Sequence, residues 1–378
     1  MLNYEFPPLG GGSGNATHYL LKEFAKHPSL QIDLVTSSAG TTLEEEEFSD
    51  RIRLYRLPVG KKEQHFWTMP EIARWTWRAF CLTRKLIRTK GYDLCHCWSG
   101  WPSGVIGFAL RNDLPYLVGL RGSDVPGYNE RLRLLDRLVF RHVSRLIWRT
   151  ASSMTAVSDH LRELAQKTSS QAKIQVIHNG VDSAHFTPGN RPEQFTVLYV
   201  GRLIARKGVT HLVRAFRETC NEVKDPRLII VGEGPERLPL QEYCRHEGIE
   251  DLVSFMGILD HKELPSVYRR ASVFVMPALE EAMPNAMLEA MASGLPLITT
   301  DTGAREMIDE NGIVVSIGSD VSIRDAIRQY IRDPELLGRH RRRSRLLAER
   351  TTWAGVANAY LEIYERHAGR SAKTPPMS

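Results

Sequence analysis

The sequence contains no apolar run approaching the roughly 18 residues that a helix needs to cross a bilayer. It opens without the charged, apolar and small-residue succession of a secretory signal, so no leader is expected. Cysteine is scarce: there are 5, an odd number without framework spacing. That excludes a disulfide scaffold and fits a reducing cytosol. Cys95-His96-Cys97 has a metal-like look, but neighbours on a strand point to opposite faces and no second pair follows, so no metal is expected there. Net charge is missing from one half. Residues 187–378 hold 26 Lys/Arg and 26 Asp/Glu, whereas residues 1–186 hold 24 and 18. The surplus of +6 therefore lies in the first half, which points to an acidic partner there.

A chain of 378 residues is long enough for two domains, each with its own core. Strand and helix patterns alternate throughout, which argues for parallel, doubly wound sheets of the α/β class. The informative stretch is Pro277–Pro296, PALEEAMPNAMLEAMASGLP. Before it, Ala271–Met276 (ASVFVM) reads as a buried parallel strand. After a loop, a helix is expected from about Asn285 to Ser293, with Asn285 as N-cap and Gly294 closing it. A helix start at the carboxyl end of a parallel strand is an anion site. Glu281 precedes that start and Glu289 lies a turn inside. Two carboxylates in a Glu-x7-Glu spacing flanking an anion site suit a phosphate with hydroxyl groups on both sides, as in a nucleotide sugar. Either Glu alone is equally well read as an ordinary helix-start acid.

This stretch resembles the E-G-(F/M)-x-x-x-x-L-E-A-M-A-x-G-x-P signature of the retaining GT-B glycosyltransferases of the family-4 type, with Ala282 in place of the first Gly. The resemblance runs along nearly the whole chain. LNYEFPPLGGGSGN is similar to the family's FPPxxGG loop between the first strand (here Leu2–Phe6) and a helix from about Asn15. By that match Gly11 and Gly12 face the donor diphosphate. Gly201-Arg202-Leu203…Arg206-Lys207-Gly208 resembles G-R-L-x-x-x-K-G, in which Arg202 and Lys207 hold the diphosphate. Gly232-Glu233-Gly234-Pro235 resembles the G-x-G-P loop, and Val253–Gly257 (VSFMG) the strand whose end, Gly257, admits the nucleobase.

In the first half, Tyr92–Gly104 resembles the acceptor-lining D-x-x-H-x-H…P-x-G segment, His96 matching its first His. Arg121-Gly122-Ser123-Asp124 stands where the family has His-Gly-x-Asp. Arg121 is a poor base because its pKa stays above about 12; it suits a phosphate instead, and Asp124 is the nearest carboxylate. Ile174–Asp182 (IQVIHNGVD) resembles I-P-N-G-V-D at the end of the first domain.

The resemblance implies the GT-B fold: two Rossmann-like domains, 1–186 for the acceptor and 187–352 for the nucleotide sugar, facing a cleft, with a last helix 353–367 returning to the first domain. It implies retaining transfer of a hexosyl unit from a UDP- or GDP-sugar to a hydroxyl of a glycan, lipid-linked or small-molecule acceptor. Glu281 would contact the sugar and Glu289 the ribose. Ala282, Met283, Pro284 and Asn285 would form the helix start at the phosphate. No DxD-type motif stands in the expected place, so no metal or other cofactor is expected. The rival is a non-catalytic nucleotide-sugar-binding subunit or scaffold at the membrane, favoured by Arg121. A sugar-nucleotide epimerase of the same fold is disfavoured by the two motifs together.

Two basic, aromatic-rich stretches remain. Phe66–Lys90 mixes five aromatic residues with six cations. In Arg131–Arg149, Arg133, Arg137, Arg141, Arg145 and Arg149 recur every four residues beside an apolar stripe of Leu132, Leu135, Val139, Val143 and Leu146. Either these are core helices with basic solvent faces, or they dock on anionic lipid at the inner face of the cell membrane. No nucleic-acid-binding motif accompanies them. Glu44–Glu47 reads as a solvated acidic loop, and 368–378 as a disordered tail.

Overall fold

The computed structural model describes residues 1–63, 66–129, 133–190 and 192–367, without the side chains of Arg133 and Arg137. The expected tail 368–378 and the start of the basic stretch, Arg131 and Leu132, lie outside the described residues. The chain forms two compact units, Met1–Asn179 with Trp353–Ser378, and Gly180–Thr352. The division falls at 179/180, not 186/187, because Val181 bridges to Thr352 and Phe186 is buried in the second unit's core.

The first unit has a three-stranded sheet of β1 (Ile32–Ser38), β2 (Glu44–Ser49) and β3 (Ile52–Pro58), in the order β1-β3-β2. A four-stranded sheet follows in sequence order: β4 (Cys95–Cys97), β5 (Tyr116–Leu120), β6 (Ser153–Ala156) and β7 (Gln175–Val176). The expected first strand Leu2–Phe6 is reduced to single bridges. Leu2 bridges both Val35 of β1 and Cys97 of β4, so it joins the two sheets, and the backbone leaves the ladder after Asn3. The first helix begins at Gly12, before the expected Asn15.

Glu44–Glu47 is no loop. It is part of β2, an antiparallel edge strand on β3, where Glu46 meets Arg56 at 2.6 Å. Cross-strand opposite charges favour the ladder, and a charged edge discourages further pairing.

The final helix Trp353–Glu365 packs in the core of this unit, with Trp353 stacked on Tyr19 at 5.7 Å.

The helix Met69–Thr89 starts at Thr68, whose N–H donates to Glu71 Oε2 at 2.8 Å, the same oxygen that takes the Lys61 ammonium at 3.0 Å. Burial pushes the Glu71 carboxyl up, but the Thr68 and Lys62 N–H groups and Lys61 outweigh it and hold it at about 2 instead of 4.5. A lowered folded-state value contributes stability that is complete above the unfolded value and is lost as pH falls toward the folded one. Glu71→Gln should therefore destabilise the protein by about 1–2 kcal/mol at pH 7, the size of a helix cap. The difference should shrink as pH falls from about 4.5 toward 2. Thermal unfolding at pH 7 and pH 3 checks this, and an unchanged gap would count against it.

The stretch Arg133–Thr150 does not bury its apolar stripe, as the core-helix alternative required. Leu135, Val139 and Leu146 of the apolar stripe are exposed, as are Leu134 and Leu138. Ile147, Trp148 and Ser144 face inward instead. Residues Asp136–Phe140 form a π-turn, which offsets Leu146 and the rest of the helix after it. One extra residue in a helical turn rotates everything downstream off a 3.6-residue register.

The second unit has one six-stranded parallel sheet: β8 (Thr196–Val200), β9 (Arg227–Val231), β10 (Val253–Gly257), β11 (Val273–Met276), β12 (Leu297–Thr300) and β13 (Gly312–Val315). The order is β10-β9-β8-β11-β12-β13. Strand order reverses between β8 and β11, and at such a switch point the loops leaving the carboxyl ends part and open a crevice. Strands buried on both faces read as continuous apolar, β-branched-rich runs, as the four inner strands β9, β8, β11 and β12 do, whereas the edge strands β10 and β13 are partly exposed.

Candidate functional site

In the second unit, the loops leaving β8 and β11 meet at the switch point. After β8, Gly201 has φ +159° and Arg202 is exposed, with its carbonyl accepting from the buried Tyr199 hydroxyl at 3.0 Å. Residues Ala205–Lys207 form one 3-10 turn, closed by Gly208 at φ +63°. A side chain on Gly208 would place its Cβ 2.2 Å from the Pro277 carbonyl, so glycine lets this turn press against the loop leaving β11. Leu279 N–H donates to the Arg206 carbonyl at 2.9 Å and locks the two loops together.

That contact brings Lys207 onto Glu281. The ammonium and carboxylate form a direct ion pair, and both are largely buried. The other carboxylate oxygen accepts from the Ala282 N–H at 3.1 Å. Burial pushes the Glu281 carboxyl up, but Lys207 and then Arg206 outweigh it, so it lies below its ordinary value. Glu281 is therefore ionised at neutral pH: it accepts hydrogen bonds and does not donate one. Lys207 keeps further N–H donors beyond the one given to Glu281. Arg202 meets no carboxylate among the described residues.

The helix that follows runs Asn285–Ala292. Asn285 is its first residue, not its N-cap. Pro284, at φ −77° and ψ 123°, makes the change from extended to helical backbone one residue earlier and, as the N-cap, offers no side-chain bond. Ala282 and Pro284 are buried, Met283 and Asn285 half-buried. Gly294 closes the helix at φ +69°. One turn in, Glu289 accepts from the Tyr268 hydroxyl at 2.9 Å, and its other oxygen lies 3.7 Å from His261 Nε2.

The glycines after β8, β9 and β10 interlock through backbone. Gly201 N–H donates to Val231 O at 2.9 Å and Gly232 N–H to Gly257 O at 2.7 Å. Glu233 and Arg237 pair beside Gly257.

In the first unit, Gly11 caps the helix Gly12–Phe24. Both glycines are exposed, and a Cβ on Gly11 would meet nothing within 4 Å. His96 is buried at 2 % exposure among Trp98, Tyr360 and Tyr364, its Nδ1 2.7 Å from the Tyr364 hydroxyl. Burial, followed by the N-terminal ammonium and Arg121, pushes it well below its ordinary value, so it is neutral. Arg121 lies over the Trp98 ring at 4.5 Å and donates to Asn179 Oδ1 at 2.8 Å. Asp124 spends its oxygens on the N–H groups of Gly100, Arg121 and Gly122 at 2.6–3.0 Å. It is a loop clamp, which leaves it little capacity as a base.

The structure thus gathers Arg202, Lys207, Glu281 and Glu289 on the carboxyl-end loops and the helix beside one switch point, while Gly11, Gly12, His96 and Arg121 belong to the other unit. Reading the sequence missed Tyr199, Arg206, Tyr268 and His261. Tyr268 had no local signal, since its partner is 21 positions away in the chain. Arg206 adjoins Lys207 and could have been taken as another cation of that loop.

Residues 194–333 match the family described as Glycosyl transferases group 1, and residues 10–185 match Glycosyltransferase Family 4. An uncharacterized glycosyltransferase of Methanocaldococcus jannaschii is 25% identical over 97% of both chains. Glycogen synthase of Mycobacterium tuberculosis is 27% identical over 96% of this chain and 93% of its own. Among solved structures, sucrose-phosphate synthase from Thermosynechococcus elongatus superposes with a TM-score of 0.79 at 20% identity, covering 94% of this chain and 93% of that one. Anabaena HepE in complex with UDP superposes at 0.74 and 17%, covering 97% and 98%. At these identities the likeness establishes the fold, GT-B.

Proposed function

This chain belongs to the group 1, family 4 glycosyltransferases, and on that premise we propose a retaining, metal-independent enzyme that moves a hexosyl unit from a UDP- or GDP-sugar to a hydroxyl of a glycan, lipid-linked or small-molecule acceptor. The observation that carries this reading is the Lys207–Glu281 pair, its carboxylate on the loop that leads into the helix Asn285–Ala292. Lys207, Arg202 and the helix start neutralise the diphosphate as it leaves, the task a metal performs elsewhere. The end of β10 at Gly257 receives the base through its backbone, and Gly232, bonded to the Gly257 carbonyl, holds the adjoining loop close. Ionised Glu281 accepts from the sugar hydroxyls and Glu289 from those of the ribose.

The bond between the anomeric carbon and the phosphate oxygen breaks, and its electron pair stays on the diphosphate. The acceptor oxygen bonds to the same face of the sugar, and its proton passes to the departing phosphate oxygen. No enzyme nucleophile is needed. His96, buried and neutral, and Arg121, held on Trp98 and Asn179, shape the acceptor side and take no proton.

The test is release of nucleoside diphosphate, with sugar transfer, across UDP- and GDP-sugars and a panel of acceptors. Activity should survive a chelator within about twofold, since the cations come from side chains. Nucleotide-sugar binding without turnover on any acceptor would favour a non-catalytic binding subunit.

A second reading concerns where the enzyme works. Leu134, Leu135, Leu138, Val139 and Leu146 lie exposed on one helical stretch together with exposed Arg145 and Arg149. An apolar face fringed by cations suits the surface of an anionic bilayer. We propose a cytoplasmic enzyme resting peripherally on the inner face of the membrane. None of the described helices is long and apolar enough to cross one. Vesicles containing phosphatidylglycerol should bind the protein, and salt or the double change Leu134→Asp and Leu138→Asp should release it. Equal binding to neutral vesicles at high salt would remove the idea.

A further inference from the structure

Glu289 is held from behind by a side chain that no binding motif marks. Tyr268 is fully buried at 0% exposure, at the end of the helix Leu264–Arg269. Its hydroxyl lies 2.9 Å from Glu289 Oε2 and 3.1 Å from the Ala286 carbonyl, and its ring is packed against Phe186 and Phe274. A hydroxyl has one proton, and between a carboxylate and a neutral carbonyl the charged acceptor makes the stronger bond. Burial, followed by Glu289, pushes the Tyr268 hydroxyl well above its ordinary range, so it stays a donor. Glu289 Oε1 has His261 Nε2 at 3.7 Å, and the His261 ring is stacked on His185 at 5.1 Å.

A carboxylate has about four lone-pair sites. One is taken by Tyr268, and the contact fixes the plane of the group and therefore where the others point. A carboxylate on a helix would otherwise turn freely about its last torsion, a broad two-fold rotor. We propose that Tyr268 is a positioning residue for donor recognition: its hydroxyl, braced by two phenylalanines, aims the Glu289 carboxylate at the vicinal hydroxyls of the donor ribose. The inference rests on the reading of Glu289 given above and extends it to a residue outside every motif. It follows that Tyr268 governs how the ribose is held and leaves the breaking of the sugar–phosphate bond alone.

The test compares the nucleoside diphosphate, UDP or GDP, that the wild type binds more tightly with its 2′,3′-dideoxy analogue, by calorimetry on the full chain. Tyr268→Phe should weaken the ribonucleotide about tenfold, the worth of one hydrogen bond to a charged group. It should change affinity for the dideoxy analogue less than about twofold. The KM for the donor should rise by a similar factor with kcat nearly unchanged. A structural role would weaken both ligands alike, and that result, or no loss for either, overturns the proposal. Tyr268→Phe combined with Glu289→Ala should bind no worse than Glu289→Ala alone; an additive loss would also overturn it. Should Tyr268→Phe not fold, Tyr268→His, whose ring N–H falls short of Oε2, should show the same selective loss. If Glu289→Ala leaves the preference for the ribonucleotide intact, the ribose reading of Glu289 falls and the inference with it. If Glu289→Ala erases the preference and Tyr268→Phe keeps it, the inference alone falls.

Discussion

Lys207→Ala is expected to lower the rate of sugar transfer by about 10²–10³-fold, the cost of removing one preorganised stabiliser of charge that develops in a transition state. Two effects add. The leaving diphosphate loses a cation, and Glu281, 8% exposed, loses its ion-pair partner. A carboxylate left with only Arg206 and the Ala282 N–H to offset its burial repels the diphosphate and costs stability of its own. The pair also holds the Glu281 carboxyl below its ordinary value against the pull of burial. Without Lys207 only Arg206 and the Ala282 N–H still oppose burial, so the carboxyl titrates at higher pH and the acid limb of the rate profile should move up. Lys207→Arg keeps the charge and should recover part of the rate. Steady-state kinetics across pH, with a melting curve for each variant, checks all three statements. Near-normal turnover in Lys207→Ala would remove Lys207 from the site.

The second large effect is expected at Gly232. A side chain there would put its Cβ 1.9 Å from the Gly201 carbonyl oxygen, and the backbone sits at φ +134°. Neither contact nor conformation can be relieved by turning a side chain, because the neighbour is backbone. Gly232→Ala should therefore push the Gly201-Arg202 segment away from β9. The expected loss is about 2–4 kcal/mol in stability, as for other strained backbone sites. Nucleotide affinity should fall at least about tenfold with it, since Arg202 is carried on that segment. Gly11→Ala is the contrast: nothing lies within 4 Å of its Cβ. It should melt like the wild type. Melting curves and nucleotide titration of the two variants decide this, and a Gly232→Ala protein with native stability and affinity would show that the loop yields.

Much of the fold was legible because parallel strands buried on both faces announce themselves. FTVLYV, RLIIV and ASVFVM could hardly be anything else, and each ends in a glycine or proline that marks the carboxyl edge. The candidate site was legible where chemistry is written locally, as in Arg202-to-Gly208 and the Glu-x7-Glu pair.

The misses have physical causes. Glu44–Glu47 looked like solvent-loving loop because a sequence scan sees four like charges and not the arginines opposite them on β3. The core-helix reading of the stripe Leu135, Val139 and Leu146 required an unbroken 3.6-residue period, which the π-turn at Asp136–Phe140 interrupts, and all three side chains are exposed. Asn285 has the chemistry of an N-cap, but Pro284 had already fixed the turn into the helix.

By itself the sequence determined which residues carry charge, where the strands end and which glycines keep the backbone open, because these depend on neighbours a few positions apart. Only the tertiary structure decided what faces what. Lys207 and Glu281 are 74 positions apart and Tyr268 and Glu289 are 21 apart. Each meeting follows from the order in which the strands lie in the sheet. Local propensity does not encode that order: it is set by how the helices bury their apolar faces on the strands, and it alone brings separate charged loops side by side.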